Sequence, residues 1–160
     1  MAADSTTNRL STPELRAWRG LLRAHAALSG RLDAELQAAH GVNLSGYEVL
    51  FNLADARDAG LRMADLADRV LLSRSGVTRL IDRLVADGLI ERRPCAADGR
   101  GSCAHLTSAG RARLREARGT HLDGVRRLFL EHLSPAEQVL LGDLWERLVG
   151  PAEPERPRAA

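Results

Sequence analysis

Between Ala64 and Leu106 the chain carries a pattern that few folds accommodate. Ala64 to Val70 places Leu66, Ala67 and Val70 at helical spacing, enough for one short helix. Leu71-Leu72-Ser73 breaks that spacing, and a second helix opens at Arg74 with Ser73 as its cap. Val77, Leu80, Ile81, Leu84 and Val85 then repeat at three and four until Asp87-Gly88 ends the helix. At about 100° per residue the opposite face is Ser75, Arg79, Asp82 and Ala86, flanked by Thr78 and Arg83. That face is narrow, basic and built partly from small side chains, which implies close approach of another surface. Leu89 to Arg93 and Cys103 to Leu106 read as two short strands of a hairpin. Between them, Pro94 to Ser102 contains a proline, Asp98 and two glycines, which is loop chemistry.

Short helix, tight turn, basic helix, hairpin: this order predicts a winged helix-turn-helix. The major groove of B-DNA, about 12 Å wide, admits one helix. The short helix braces the second, whose N-terminal end favours phosphate. An arginine at the hairpin tip, Arg100, is placed for the minor groove, where negative potential is concentrated. Charge agrees. All 23 basic residues are arginine, whose planar fork suits phosphate and guanine edges. From Arg69 to Arg118 there are 11 arginines against 5 acids, so a net charge of +2 hides a basic middle.

The rest of the chain reads as helix. Leucine fills 27 positions, valine and isoleucine together 10, and aromatics make up 3%, which leaves little for a large sheet. Thr12-Pro13-Glu14 starts a long helix, with the Thr12 hydroxyl as cap, that ends near Ala39 before Gly41. Its apolar stripe, Leu15, Trp18, Leu22, Leu28, Leu32 and Leu36, is expected to be buried. Ser45 and Glu48 form a capping box for a second helix carrying Val49, Leu50, Leu53 and Ala54, and Leu61 to Met63 allows a short strand. Thr107 caps another long helix with Leu114, Leu122, Val125, Leu128 and Phe129 on its stripe. A second capping box, Ser134 with Glu137, opens a last helix expected to bury Leu140, Leu141, Leu144, Trp145 and Leu148. Residues 1–11 and 151–160 read as flexible tails.

Over Leu15 to Val149 the chain resembles the MarR family of bacterial transcriptional regulators. The resemblance is carried by Leu66-Ala67, by the run Ser73 to Leu84, by Gly88-Leu89-Ile90-Glu91-Arg92, by Asp98-Gly99-Arg100 and by Leu106-Thr107 with Gly110. It implies a mainly helical homodimer with residues 12–44 and 107–150 as the dimerisation region and 45–106 as the winged DNA-binding domain. It also implies a pseudo-palindromic operator in double-stranded DNA, with Ser75, Thr78, Arg79 and Arg83 facing the major groove. Ser73, Arg74 and Arg92 complete the expected DNA-contacting set, together with Arg100 in the minor groove and Asp98 orienting the wing. Gly99 departs from the family, which often has a second basic residue there, so this wing is expected to grip less firmly. Asp82 on the reading face needs neutralising, by Arg79 or Arg83, or a cytosine amine to accept from. Family members usually sense a small molecule. The lining implied here is Trp18, His25, Tyr47, Phe51 and His121, suited to a phenolic or aromatic acid effector that releases a repressor, although such residues also serve as ordinary core.

Cys95 and Cys103 stand symmetrically about Gly99, so a hairpin in register around that residue would oppose them. In a reducing cytosol they read as two incidental small residues; the alternative is a redox-responsive regulator whose wing carries a thiol switch. No cofactor or metal is expected, because His121 and His132 are eleven residues apart, about 16 Å along a helix, and no close histidine pair occurs. No nucleophile–base spacing, paired carboxylates or phosphate loop points to an enzyme. No apolar run approaches a membrane span and no secretory signal is evident, so the expected place is the cytoplasm. A winged-helix module that meets protein rather than nucleic acid is the other reading.

Overall fold

The computed structural model describes residues 9–56, 60–70, 74–95 and 101–150, in the order α1 (Thr12–His40), α2 (Leu44–Asp55), β1 (Leu61–Arg62), α3 (Met63–Arg69), α4 (Arg74–Ala86), β2 (Ile90–Pro94), β3 (Ser102–Leu106), α5 (Ser108–Leu128) and α6 (Pro135–Val149), with a 3-10 turn at Leu130–His132. Most of residues 1–11 and all of 151–160, expected as tails, lie outside the described residues. The chain forms two compact units, residues 1–122 and 123–160.

Helix starts follow local chemistry, with two corrections. Ser11, not Thr12, caps α1: Glu14 Oε2 accepts from the Ser11 N–H at 2.7 Å, and Ser11 Oγ accepts from the Glu14 N–H at 3.5 Å. Pro13 fits because that early position needs no donor. Asn43, not Ser45, caps α2, its Oδ1 accepting from the Gly46 N–H at 2.8 Å. Asp33 Oδ1 on α1 accepts from the Leu44 N–H at 3.0 Å, so a carboxylate one helix away takes a second free donor. The expected box missed this because Asp33 is distant in sequence. Gly41 closes α1 at φ 66°, and Ser134 with Glu137 caps α6 as the spacing predicts.

The first unit holds the core. Leu36, Val49, Leu50, Leu53, Leu66, Val70, Val77, Ile81 and Ile90 are all under 2% exposed. They join α1, α2, α3, α4 and the sheet around one apolar centre. The sheet has three antiparallel strands in the order β1-β3-β2, so the short run at Leu61 becomes a real strand beside the hairpin, pairing with Ala104. Thr107 locks the hairpin to α5: its Oγ1 donates to the Gly88 carbonyl at 2.7 Å and accepts from the Gly110 N–H at 3.0 Å. Gly110 has no room for a side chain, since a Cβ there would stand 2.1 Å from the Leu89 carbonyl oxygen.

Two expectations of burial fail. On α1, Trp18 and Leu22 are exposed, Leu15, Leu28 and Leu32 are half-buried, and Leu36 is the buried residue. In the second unit, no residue of α6 is buried; Leu140, Trp145 and Leu148 are exposed, while Leu141 and Leu144 are half-covered. Periodicity identifies an apolar face correctly but not what covers it.

Candidate nucleic-acid interface

Helix α4 divides cleanly. Val77, Ile81 and Leu84 face the core, Leu80 and Val85 are half-buried, and Thr78, Arg79, Asp82, Arg83 and Ala86 face solvent. One face is held by packing and the other is available. The backbone of Arg74 and Ser75 forms the first turn of α4; Ser73, Asp98 and Arg100 lie outside the described residues.

Asp82 is neutralised, but not by either arginine of its own helix. Arg92 reaches across from β2, with Nη2 2.5 Å from Asp82 Oδ1. Arg83 sits 3.9 Å from Asp87 instead, one turn along α4. The sequence expectation looked to helical neighbours, whereas β2 packs beside α4 and brings Arg92 within reach. Arg93 pairs with Glu91 on the same strand. Among the described residues, Arg79 has no carboxylate partner, which makes it the exposed α4 cation best placed for an external anion.

The wing's register differs from symmetry about Gly99. Ile90 pairs with Leu106, Arg92 with Ala104, Arg93 with Cys103 and Pro94 with Ser102. The Cys95 N–H donates to the Gly101 carbonyl at 2.9 Å, so Cys95 and Cys103 are diagonal rather than opposite. They are joined by a disulfide with Cα atoms 5.1 Å apart, so they are not the incidental pair expected from a reducing compartment.

A second cluster lies in the same unit. His121 stacks on Tyr47 with ring centroids 4.5 Å apart, and Phe51 lies 6.4 Å from Tyr47. Burial holds His121 below the ordinary histidine range, and its Nδ1 is buried without a partner among the described residues. Beside Tyr47, burial pushes the Glu48 carboxyl above its usual range, partly offset by the nearby charge of His25. The structure thus brings Tyr47, Phe51 and His121 together and sets His25 near Glu48, while Trp18 stands exposed on α1 seven residues before His25. Glu48 is a member the sequence reading missed, because its place in a capping motif already accounted for it. Among the described residues, no group of three histidine, cysteine or acidic side chains is close enough to hold a metal, and no helix is long and apolar enough to cross a membrane.

Comparison with known proteins decides the family. A family model described as MarR family matches residues 40–101. The HTH-type transcriptional repressor YetL of Bacillus subtilis (strain 168) is 33% identical over 115 residues, 69% of this chain and 68% of that one. The chain belongs to the MarR family. Its fold superposes on Sco3205, a MarR family regulator from Streptomyces coelicolor solved in complex with DNA, with a TM-score of 0.82, 31% identity and 91% of each chain covered. AbsC, another MarR family regulator from Streptomyces coelicolor, gives a TM-score of 0.81 at 32% identity over 89% of this chain and 95% of that one.

As a MarR family member the protein is a DNA-binding transcriptional regulator, and the relatives' role is not enzymatic. The mainly helical winged fold expected from the sequence is the observed one. Two features of this MarR chain were not legible beforehand, the Arg92–Asp82 bridge and the side-chain-free contact at Gly110, while the short strand expected at Leu61 is present and what the structure adds is its pairing with Ala104. The bridge joins residues ten apart on different elements, and the pairing of Leu61 with Ala104 joins residues far apart in sequence. Gly110 appeared in the motif without a stated reason, and its closeness to Leu89 supplies one.

Proposed function

We propose that the protein is a homodimeric, effector-responsive repressor that binds a pseudo-palindromic operator in the cytoplasm. The observation that carries this reading is the division of α4, whose exposed face presents Thr78, Arg79 and Arg83 while its apolar face is locked into the core. In this reading α4 enters the major groove, with Ser73, Arg74 and Ser75 at its start meeting phosphate and base edges. Arg92 keeps Asp82 from repelling the backbone. Arg100 supplies the minor-groove contact, oriented by Asp98, on the strength of the sequence motif.

Residues 45–106 act as the DNA-binding domain, and 12–44 with 107–150 as the dimerisation region. The uncovered apolar residues of α1 and α6, Trp18, Leu22, Leu140, Trp145 and Leu148, support burial against a second copy. Half-sites then fall about one helical turn, ~10 bp, apart. An aromatic acid or phenol is the effector class that suits the stacked Tyr47 and His121, with Phe51, His25 and Trp18 in the wider lining and His121 Nδ1 as hydrogen-bond partner. It acts by favouring a protomer spacing that misfits DNA.

The test is a selection of duplexes from a randomised pool by the full-length protein, followed by anisotropy titration. Enrichment of an inverted repeat, with Arg79→Ala costing about 1–3 kcal/mol, supports the reading. Equal affinity for every duplex, or a protein that sediments as a lone protomer, overturns it.

A further inference from the structure

We propose that the chain selects a second copy of itself by charge, with Arg19 and Arg23 on α1 of one protomer pairing with Asp143 and Glu146 on α6 of its partner. The proposal rests on the reading of the protein as a homodimer and adds which residues choose the partner. Arg16, Arg19 and Arg23 stand at i, i+3 and i+7, so they share one edge of α1. With Gly20, Ala24 and Ala27 they line a shallow groove along the helix. Like charges three and four residues apart repel one another. No acid lies within one helical turn of Arg19 or Arg23 to relieve that repulsion. Among the described residues, none of the three arginines makes an ion pair.

The complement is on α6. Asp143 and Glu146 stand three residues apart beside Leu140 and Arg147, and among the described residues neither pairs with a cation. Residues 12–30 carry three arginines against Glu14, and residues 135–149 carry Glu137, Asp143 and Glu146 against Arg147. With His25 neutral, the two surfaces therefore hold +2 and −2. Each charged edge borders an apolar face that needs cover. Arg19 lies one turn from Leu15 and Leu22, and Asp143 one turn from Leu140. Trp18, Leu22, Leu140, Trp145 and Leu148 are all exposed. An apolar seam flanked by opposite charges is the arrangement by which packed helices set partner and orientation. The lengths match as well. Residues 12–27 of α1, exposed throughout except for half-buried Leu15, run about 24 Å, and the 15 residues of α6 about 22 Å. A second copy is the occupant these features select, because a two-fold axis brings α1 to the partner's α6 twice. Each chain supplies both signs, so one pairing rule closes the dimer and leaves neither edge over.

The experiment uses two full-length variants, Arg19→Glu with Arg23→Glu, and Asp143→Arg with Glu146→Arg. All four positions are exposed, and Glu and Arg are both good helix formers, so each variant should keep native circular dichroism. A homodimer of either variant sets like charges together at both junctions, whereas the mixed dimer has opposite charges at both. Sedimentation velocity over a dilution series reads the dissociation constant. The expected result is a rise of about a hundredfold or more for each variant alone, and a return towards the wild-type value on mixing. At about 1 M salt, where the screening length falls to about 3 Å, each variant alone should recover part of its loss. A chain carrying all four reversals should dimerise with itself and not with wild type. Variants that dimerise as tightly as wild type overturn the charge pairing and leave the homodimer standing. Variants that fail alone and also fail together overturn it too, since the charges then act within one chain or on other groups. Variants that stay dimeric but lose affinity for duplexes enriched from a randomised pool place the charges on nucleic acid and overturn it. A wild type that sediments as a lone protomer overturns the pairing and the homodimer together.

Discussion

Replacing Asp82 with asparagine tests how the reading face is charged. The carboxylate lies in the middle of the exposed face of α4, its side chain 54% exposed, and its partner Arg92 is 40% exposed. An ion pair that open to solvent contributes about 0–1 kcal/mol to folding, so the fold should survive with little change in Tm. Binding should respond more. Asparagine keeps the shape, removes one negative charge per protomer and frees Arg92 to reach a phosphate. Each phosphate neutralised steepens the dependence of log K on log salt by about 0.9, hence about 1.8 for a dimer. Over the fourfold span from about 50 to 200 mM salt, the variant's advantage should shrink by roughly tenfold. Anisotropy titrations across that range with one operator duplex provide the measurement. The expected outcome is tighter binding at low salt, converging with the wild type as salt rises. An unchanged slope would show that Arg92 does not contact the backbone. Weaker binding at every salt, concentrated on duplexes with a cytosine at one position, would show that Asp82 reads that base itself, and the neutralisation argument would be refuted.

Three further outcomes follow from geometry already described. Gly110→Ala would set a Cβ 2.1 Å from the Leu89 carbonyl oxygen and 2.7 Å from Leu106 Cδ1, so it should cost about 3 kcal/mol or more by denaturant titration; an unaltered midpoint would mean α5 does not dock there. Ile81→Ala empties a fully buried position behind the reading face and should cost about 2–5 kcal/mol, whereas a loss below that range would show the core reclosing around it. Because burial lowers the His121 value, the unfolded chain takes up that proton first, and stability should be lost as pH falls below about 6.5 through the folded value. Burial raises the Glu48 value, so its protonation favours the folded state and works in the opposite sense, giving stability that is lost as pH rises through the folded value. Tm against pH for wild type, His121→Gln and Glu48→Gln separates the two, and identical slopes in all three would contradict both assignments.

The candidate site was legible where its cause is local. The three-four repeat of Val77, Leu80, Ile81, Leu84 and Val85 dictates which side of α4 turns inward, and thereby which side carries Arg79 and Arg83 outward. The caps at Ser134 and Thr107 were readable for the same reason, since donor and acceptor lie three residues apart. Even so, the starts of α1 and α2 were misplaced by one or two residues, because neighbouring hydroxyls and amides compete for the same free N–H groups.

What the sequence by itself determined is therefore the set of elements, their order and the polarity of their faces, all consequences of backbone period and near-neighbour hydrogen bonds. Only the tertiary structure decided that Arg92 rather than Arg83 answers Asp82, that Cys95 lies diagonal to Cys103, that Leu61 pairs with Ala104, and that Trp18 and Leu148 stay uncovered within one chain. Strand register and cross-element ion pairs depend on residues that packing brings together from distant parts of the chain. An apolar stripe states what a helix must bury, and the three-dimensional arrangement alone states against what.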